Sequence, residues 1–352
     1  MDDKIERSQT WPASYIAVAA GLTAVGALTF FSRRKTHSFE GDAVLITGGS
    51  RGLGLILARQ LVEEGARVAI AARDQEEIAR AIEDLASLGG QVTGIICDVT
   101  NKAECERAVD ECVARLGSID CLINDAGIIQ MGPLEVQTDE DFEEAMNTHF
   151  WGPYYMMQAA IRHMRPEKYG RIINISSIGG KIAVPHLAPY CASKFALSGL
   201  SSAMRVELAK DGIVVTSIYP GLMRTGSHLN AEFKGQNEKE YALFSLSNAL
   251  PLSSINAERA AVKILDASRR GDAEAIISVQ AKAAAKLHSL FPEASATILS
   301  AVNHLLPSEN GDLSKHKGID SGSAVSPSVL TAHIDAASAQ NNELEPGETV
   351  GT

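Results

Sequence analysis

The sequence predicts one α/β domain on a doubly wound parallel sheet, and three observations carry that prediction. Short apolar runs rich in β-branched residues alternate with longer helix-like segments between residues 41 and 280. The runs read as buried strands closed by Gly, Asp, Asn or Pro, and strands alternating with helices imply a parallel sheet covered on both faces. A glycine-rich stretch, TGGSRGLG (47–54), stands between the first strand-like run and the first helix-like segment.

In chain order the strand candidates are AVLIT (43–47), RVAIAA (67–72), VTGIICDV (92–99), CLIND (121–125), RIINIS (171–176) and VVTSIYP (214–220). Helical spacing fills the gaps, as at 55–64 and 76–88. A further helix is expected over 257–269, a strand over 273–280, and an Ala-rich helix pair over 281–306, packed on the domain or dipping toward a membrane. From residue 307 the chain turns to Ser, Asn, Gly and acids with little apolar periodicity, which predicts a disordered tail. A length of 352 residues allows one large domain or two modest ones. With no repeat and no internal linker, one domain (41–280) is expected, between flanks 1–40, a helical extension 281–306 and an acidic tail 307–352.

Composition narrows the function class. A chain that is 45% hydrophobic and 21% charged is neither disordered throughout nor collagen-like. The net charge of −11 argues against a general nucleic-acid binder, since phosphate affinity needs clustered Lys and Arg. Residues 307–352, with two Lys and seven acids, contribute −5 of it. The five cysteines form no CxxC pair, so neither a disulfide framework nor a metal site is read from them.

Residues 8–32 carry no charge, and the 21-residue stretch 11–31 (WPASYIAVAAGLTAVGALTFF) is apolar. At about 1.5 Å per residue it is long enough to cross a hydrocarbon core of roughly 30 Å. Trp11 and Tyr15 suit one interface, and Arg33, Arg34 and Lys35 flank the other. The positive-inside tendency then places everything after them in the cytoplasm, behind a single-pass anchor. The leader MDDKIER has no net positive charge, which argues against a cleaved signal.

The chemistry is read at the strand ends. Gly48, Gly52 and Gly54, with Ser50, Arg51 and Leu53 between them, allow a tight strand-to-helix turn that brings backbone close to a pyrophosphate at the helix's positive end. The second strand ends at Ala72 and is followed by Arg73, where an NAD-binding chain usually places an acid for the ribose. Arg51 and Arg73 suit a 2′-phosphate, so NADP(H) is expected over NAD(H). Asp98 and Val99, then Asn124 with Ala126 and Gly127 in NDAG, then Ser177, stand at later strand ends. Tyr190 and Lys194 in YCASK are four apart and share one helix face. Moving a tyrosine from its free pKa near 10 to about 7 takes roughly 4 kcal/mol, which a close lysine and an oxidised, cationic cofactor would supply. Tyr190 would then serve as general acid for carbonyl reduction and as base for alcohol oxidation.

In these motifs the sequence resembles the short-chain dehydrogenase/reductase family over about residues 41–280. The resemblance rests on the ordered set TGGSRGLG, NDAG, Ser177, YCASK and Pro220-Gly221 with Thr225 after it. It implies a Rossmann-type sheet, hydride transfer between NAD(P)(H) and a carbonyl or alcohol, and a Ser177-Tyr190-Lys194 site. Lys194 would also hold the nicotinamide ribose, and the segment after Gly221 would contact the carboxamide and begin a substrate lid over about 222–250. Two residues depart from the pattern. Asp125 stands where the family has a second Asn, and His149 takes the place of the Asn that holds a relay water, with Asn147 as the fallback.

The reading that results is a membrane-tethered NADP(H)-dependent oxidoreductase acting on an apolar lipid-, steroid- or retinoid-like carbonyl or alcohol. Its alternatives are a 3-oxoacyl thioester reductase and a catalytically silent NADP(H)-binding scaffold. The family resemblance also implies a homodimer or homotetramer.

Overall fold

The first strands are largely apolar on both faces, so side chains pointing to both sides need cover. In the computed structural model, which describes residues 36–250, 253–322, 326, 328, 331–345 and 348, that cover is supplied by helices on both sides. Residues His37–Thr352 form one compact unit. The apolar stretch 11–31 and the cations at 33–35 lie outside the described residues. Among the described ones, no helix is long and apolar enough to cross a membrane.

The chain begins with β1 (Ala43–Thr47), α1 (Gly52–Glu63), β2 (Arg67–Ala72), α2 (Gln75–Ala86), β3 (Val92–Ile96), α3 (Lys102–Leu116) and β4 (Cys121–Asn124). It continues through the short β5 (Gln130–Met131), α4 (Asp139–Met146), a π-helical turn at Asn147–Trp151, α5 (Gly152–Glu167), β6 (Gly170–Ile175), α6 (Ala188–Leu208) and β7 (Ile213–Tyr219). After β7 come β8 (Leu222–Arg224), β9 (Glu232–Phe233), α7 (Asn237–Ala249), β10 (Ser254–Asn256), α8 (Ala257–Arg270) and β11 (Glu274–Ile276). The last elements are α9 (Val279–Leu290), α10 (Pro292–Asn303), β12 (His316–Lys317) and α11 (Ala332–Gln340).

Seven strands pair in parallel in the order β3-β2-β1-β4-β6-β7-β11. Val44 and Ile46 of β1 join α1 and α8 in one core, which Leu57, Leu61, Ile264 and Leu265 help to fill. Ala43 and Leu45 turn to the other face and pack with α3 and α5 through Val109, Cys112, Met156 and Met157. The order reverses between β1 and β4, whose pairing ends with Thr47 beside Asn124. A crevice opens at such a reversal, at the carboxyl ends of the strands. The strand ends differ from the sequence reading by a few residues, because the chain turns off the sheet at Cys97, Asp125 and Ser176.

A third cluster gathers around the segment that follows β7. Met131, Leu229, Phe233, Tyr241 and Phe244 pack together there, with Ile319 and Leu344 against them. The expected lid (222–250) is thus a packed layer of two short strands and α7.

The tail is the clear correction. Its described residues, expected to be disordered, add β12 antiparallel to β9 and form α11, with Ile334, Ser321, Thr331 and Ser338 fully buried. Mean apolar content does not decide the fate of a segment that docks on an existing surface, since docking needs only a few anchors. The tail also hydrogen-bonds its small polar side chains, as Ser338 and Thr331 do to backbone carbonyls. The expected extension (281–306) forms as the two helices α9 and α10.

Lys234 and Asp141 form a buried ion pair at 2.6 Å. Asp141 also bonds the Thr138 backbone at the start of α4. Burial pushes the Asp141 carboxyl up, but the Lys234 and Thr138 bonds outweigh it and hold the group below its ordinary value. Asp141→Ala strands a buried ammonium and is expected to cost about 3–5 kcal/mol in urea unfolding at pH 7. Glu144→Ala, which removes an exposed partner of Lys315, should cost about 1 kcal/mol or less. The carboxyl's folded value is lowered, so the pair's contribution is present above the unfolded value of about 4 and fades as pH falls through the lowered folded one. Equal losses for the two variants would count against this account.

Candidate active site

The crevice is floored by backbone. Thr47 at the end of β1 accepts the amides of Asp125 at 3.2 Å and Ala126 at 3.3 Å through its hydroxyl, tying the glycine loop to NDAG. Gly48 has φ +70°, and a Cβ there would stand 2.8 Å from the Ala126 Cα. Gly54 lets α1 pack on the turn, since a Cβ would strike the Gly48 carbonyl. Leu53 is buried in the core beneath. No acidic residue occupies the first turn of α1, and its cap Arg51 supplies no side-chain acceptor. The amides at this end are therefore left to groups distant in sequence.

Around the loop one of the two expected cations, Arg51, meets acids. The buried Ser50 donates to Glu77 at 2.9 Å. Arg51 lies 3.9 Å from Glu77 and 3.4 Å from Glu343. Arg73 stands exposed just past β2. The sequence reading missed Glu77 as a loop neighbour, although Asp74-x-x-Glu77 has the spacing of a helix start, and Asp74 does accept the Glu77 amide at 2.8 Å. Farther along, Asp98 accepts the Thr100 amide at 2.9 Å, and Val99 packs where a Cβ on Gly152 would sit. Asn124 is buried and donates to Asn174 at 2.8 Å, so its amide braces β4 against β6. Pro220 accepts the Ile178 amide at 2.7 Å, joining the turn after β7 to the turn after β6. Gly221 follows it, and Thr225 is buried just beyond.

Ser177 opens the turn after β6 and accepts the Gly179 amide at 3.1 Å. Tyr190 lies in the first turn of α6 and Lys194 one turn on. The Ser177 hydroxyl is close enough to the Tyr190 phenol to pull its pKa down. The Lys194 ammonium donates to the Ile175 carbonyl at 3.0 Å and lies 5.6 Å from the centre of the Tyr190 ring. Burial pushes the phenol up to about 12, against the pull of Ser177. Burial likewise brings Lys194 down to about 8, with Asp125 opposing.

A hydroxyl, a phenol and an ammonium thus meet beside a backbone cradle for a dinucleotide. The family profile described as short chain dehydrogenase matches residues 42–235, more than half of the chain. The chain belongs to that family. It is an oxidoreductase of alcohol and carbonyl groups built to bind a nicotinamide cofactor.

Among its relatives is the granaticin polyketide synthase putative ketoacyl reductase 1 of Streptomyces violaceoruber, 34% identical over 66% of this chain and 88% of the relative. The 3-ketodihydrosphingosine reductase of Bacteroides thetaiotaomicron is 39% identical over 56% of this chain and 71% of its own length. A gluconate 5-dehydrogenase from Burkholderia cenocepacia, solved in complex with NADP and tartrate, superposes with a TM-score of 0.62. It is 30% identical, and the match covers 71% of this chain and 98% of that one.

The two departures from the short-chain dehydrogenase pattern acquire definite surroundings. His149 is held inward by the π-helical turn, an irregularity frequent at functional sites. Its Nε2 accepts the Ile128 amide at 3.1 Å, and its Nδ1 lies 2.8 Å from the Ser193 hydroxyl. Ser193 in turn donates to the Tyr190 carbonyl at 2.9 Å. Those partners define a neutral ring with the proton on Nδ1. Burial and then the Lys194 charge hold its pKa well below the ordinary value. With both nitrogens engaged, the imidazole has no lone pair for a relay water and braces the start of α6 instead. Asn147 is exposed and takes no part.

Asp125, at the position of the family's second Asn, sits inside the site. Burial raises its carboxyl to about 7, while Lys194 lowers it and Glu343 raises it further.

His149→Ala should therefore cost kcat roughly tenfold or more by loosening Tyr190, with little change in cofactor affinity. The pH-rate profile of the variant should keep the wild-type shape, because the ring stays neutral across the working range. A profile that loses its acid limb would show that His149 itself titrates in turnover.

Proposed function

We propose that this short-chain dehydrogenase uses NADP(H) to interconvert a carbonyl and an alcohol on an apolar, lipid-like substrate, while residues 11–31 hold it on a membrane with the domain in the cytoplasm. The observation that carries the chemistry is the Ser177–Tyr190–Lys194 constellation next to the glycine loop. Ser177 orients the substrate oxygen against Tyr190, which gives it a proton in reduction and takes one in oxidation. Lys194 keeps its positive charge near that phenol below about pH 8 and so favours release of the proton. A bound nicotinamide cofactor supplies or accepts the hydride.

The glycine cradle fits such a cofactor, since bare backbone is required there: a Cβ at Gly48 would strike the Ala126 backbone and one at Gly54 the Gly48 carbonyl. Arg51 and Arg73 at the adenosine end, with Ala72 in place of an acid, support NADP(H). The Burkholderia gluconate 5-dehydrogenase was solved with NADP. An apolar substrate is supported by the layer of Leu229, Phe233, Tyr241 and Phe244 beside the site, and by the name of the Bacteroides 3-ketodihydrosphingosine reductase. The name of the Streptomyces relative favours a second reading, reduction of a 3-oxoacyl thioester. Assembly as a homodimer or homotetramer is part of the same reading.

Carbonate-washed membranes carrying the full chain are expected to oxidise NADPH with long-chain 3-keto lipids faster than with acyl thioesters or sugar acids. Tyr190→Phe should lose about two to four orders of magnitude in turnover. Activity released by carbonate would overturn the anchor, and full activity in the variant would overturn the proton-transfer role. Removing both Arg51 and Arg73 is expected to weaken NADPH binding by roughly ten- to a hundredfold, as the loss of charge-assisted bonds implies, and NADH binding far less. An unchanged preference would refute the NADP(H) assignment.

A further inference from the structure

The carboxyl-terminal segment crosses the cleft in which the proposed cofactor would lie. Its residue Asn341 touches both banks. The Asn341 carbonyl accepts the Gly52 amide at 2.9 Å, at the positive end of α1. Its side-chain amide donates to the Thr225 carbonyl at 3.1 Å, on the segment that follows β7. One residue on, Asn342 donates to the Ser50 carbonyl at 2.9 Å.

Glu343 completes the plug. Its carboxylate is 3.4 Å from the Arg51 guanidinium and accepts the Asn230 amide at 2.8 Å, with its side chain almost fully buried. One of its oxygens lies 2.7 Å from where a Cβ on Gly52 would stand, so it fills the space that Gly52 leaves open. An anion at a helix amino terminus beside an arginine is the arrangement by which such loops hold phosphate. Here the chain supplies the anion itself.

We infer that residues 338–343 are an internal competitor for the cofactor, with Glu343 in the place of a cofactor phosphate, and that NADP(H) binds only when this segment lifts. The inference rests on the NADP(H) reading of the cleft. A clamp that closes over a bound cofactor would leave the Gly52 amide and the Arg51 guanidinium free beneath it, whereas this segment consumes both. The anchoring is strong enough to matter. Arg59 donates to the Gln340 carbonyl at 2.7 Å and the Asn341 side chain at 3.0 Å, Arg80 bonds Asn342 at 2.7 Å, and Ser338 packs against Gly226. A closed population of this kind lowers apparent cofactor affinity by the fraction of molecules that are open.

The test uses the full chain carrying Asn341→Ala, Asn342→Ala and Glu343→Ala together, with NADPH binding followed by calorimetry. NADPH is expected to bind this variant at least tenfold more tightly than wild type. In a second measurement on the unaltered protein, NADPH should speed amide hydrogen exchange across residues 332–345. Measurable binding of equal strength in the two proteins would overturn the inference and leave the cofactor reading standing. Slower exchange of the segment on adding NADPH would mark a clamp and overturn it too. No NADPH binding by either protein would overturn the cofactor reading, and this inference with it.

Discussion

The splice between the end of β1 and the end of β4 is the contact on which the site depends. A parallel sheet buried on both faces offers a ligand no polar surface except at the carboxyl ends of its strands, and the widest opening falls where strand order reverses. There the Thr47 hydroxyl holds the Asp125 and Ala126 amides, and Gly48 makes room for Ala126. That contact sets the glycine loop, and with it the axis of α1, against the turn that carries Asp125. Asn124, one residue earlier, passes the constraint to Asn174 on β6, whose end presents Ser177.

Burial sets the electrostatic state of this place. It raises the Tyr190 phenol and the Asp125 carboxyl, lowers the Lys194 ammonium, and keeps His149 neutral. Every one of these shifts disfavours charge, so the pocket by itself opposes the ionised phenol that proton transfer needs. Lys194, charged below about pH 8, works against this from within the chain, and a cationic cofactor bound as proposed would add a second positive charge. A dry site of this kind magnifies whatever charge enters it. At the mouth of the crevice the acids Glu77 and Glu343 occupy Arg51, so the cation expected to read a 2′-phosphate already has partners.

Much of this was legible one residue type at a time. The order of strands and helices followed from apolar periodicity, because burying both faces of a sheet leaves a continuous apolar run in the sequence. The glycine loop, NDAG, Ser177, Tyr190 and Lys194 stand out in the sequence because tight backbone turns and the proposed proton transfer admit few residue types at fixed spacings. His149 was located at its position, but whether the ring binds water, protonates or packs was not readable. That depended on Ile128 and Ser193, 21 and 44 residues away. Glu77 was missed because its relation to Ser50 and Arg51 exists only once α2 folds back along the loop.

The sequence alone determined the alternation of strands and helices, the family and the chemical set, since each is written in local spacing or in residue type. Tertiary structure decided which charges meet. Residues 307–352 look disordered by composition, yet β12, α11 and Glu343 dock on β9, the glycine loop and the turn after β7. No local pattern announces such docking, because a polar segment is held by the surface it lands on. The same cause makes Asp125, in sequence only a departure from the family pattern, a titrating neighbour of Lys194, for burial is a property of the assembled fold.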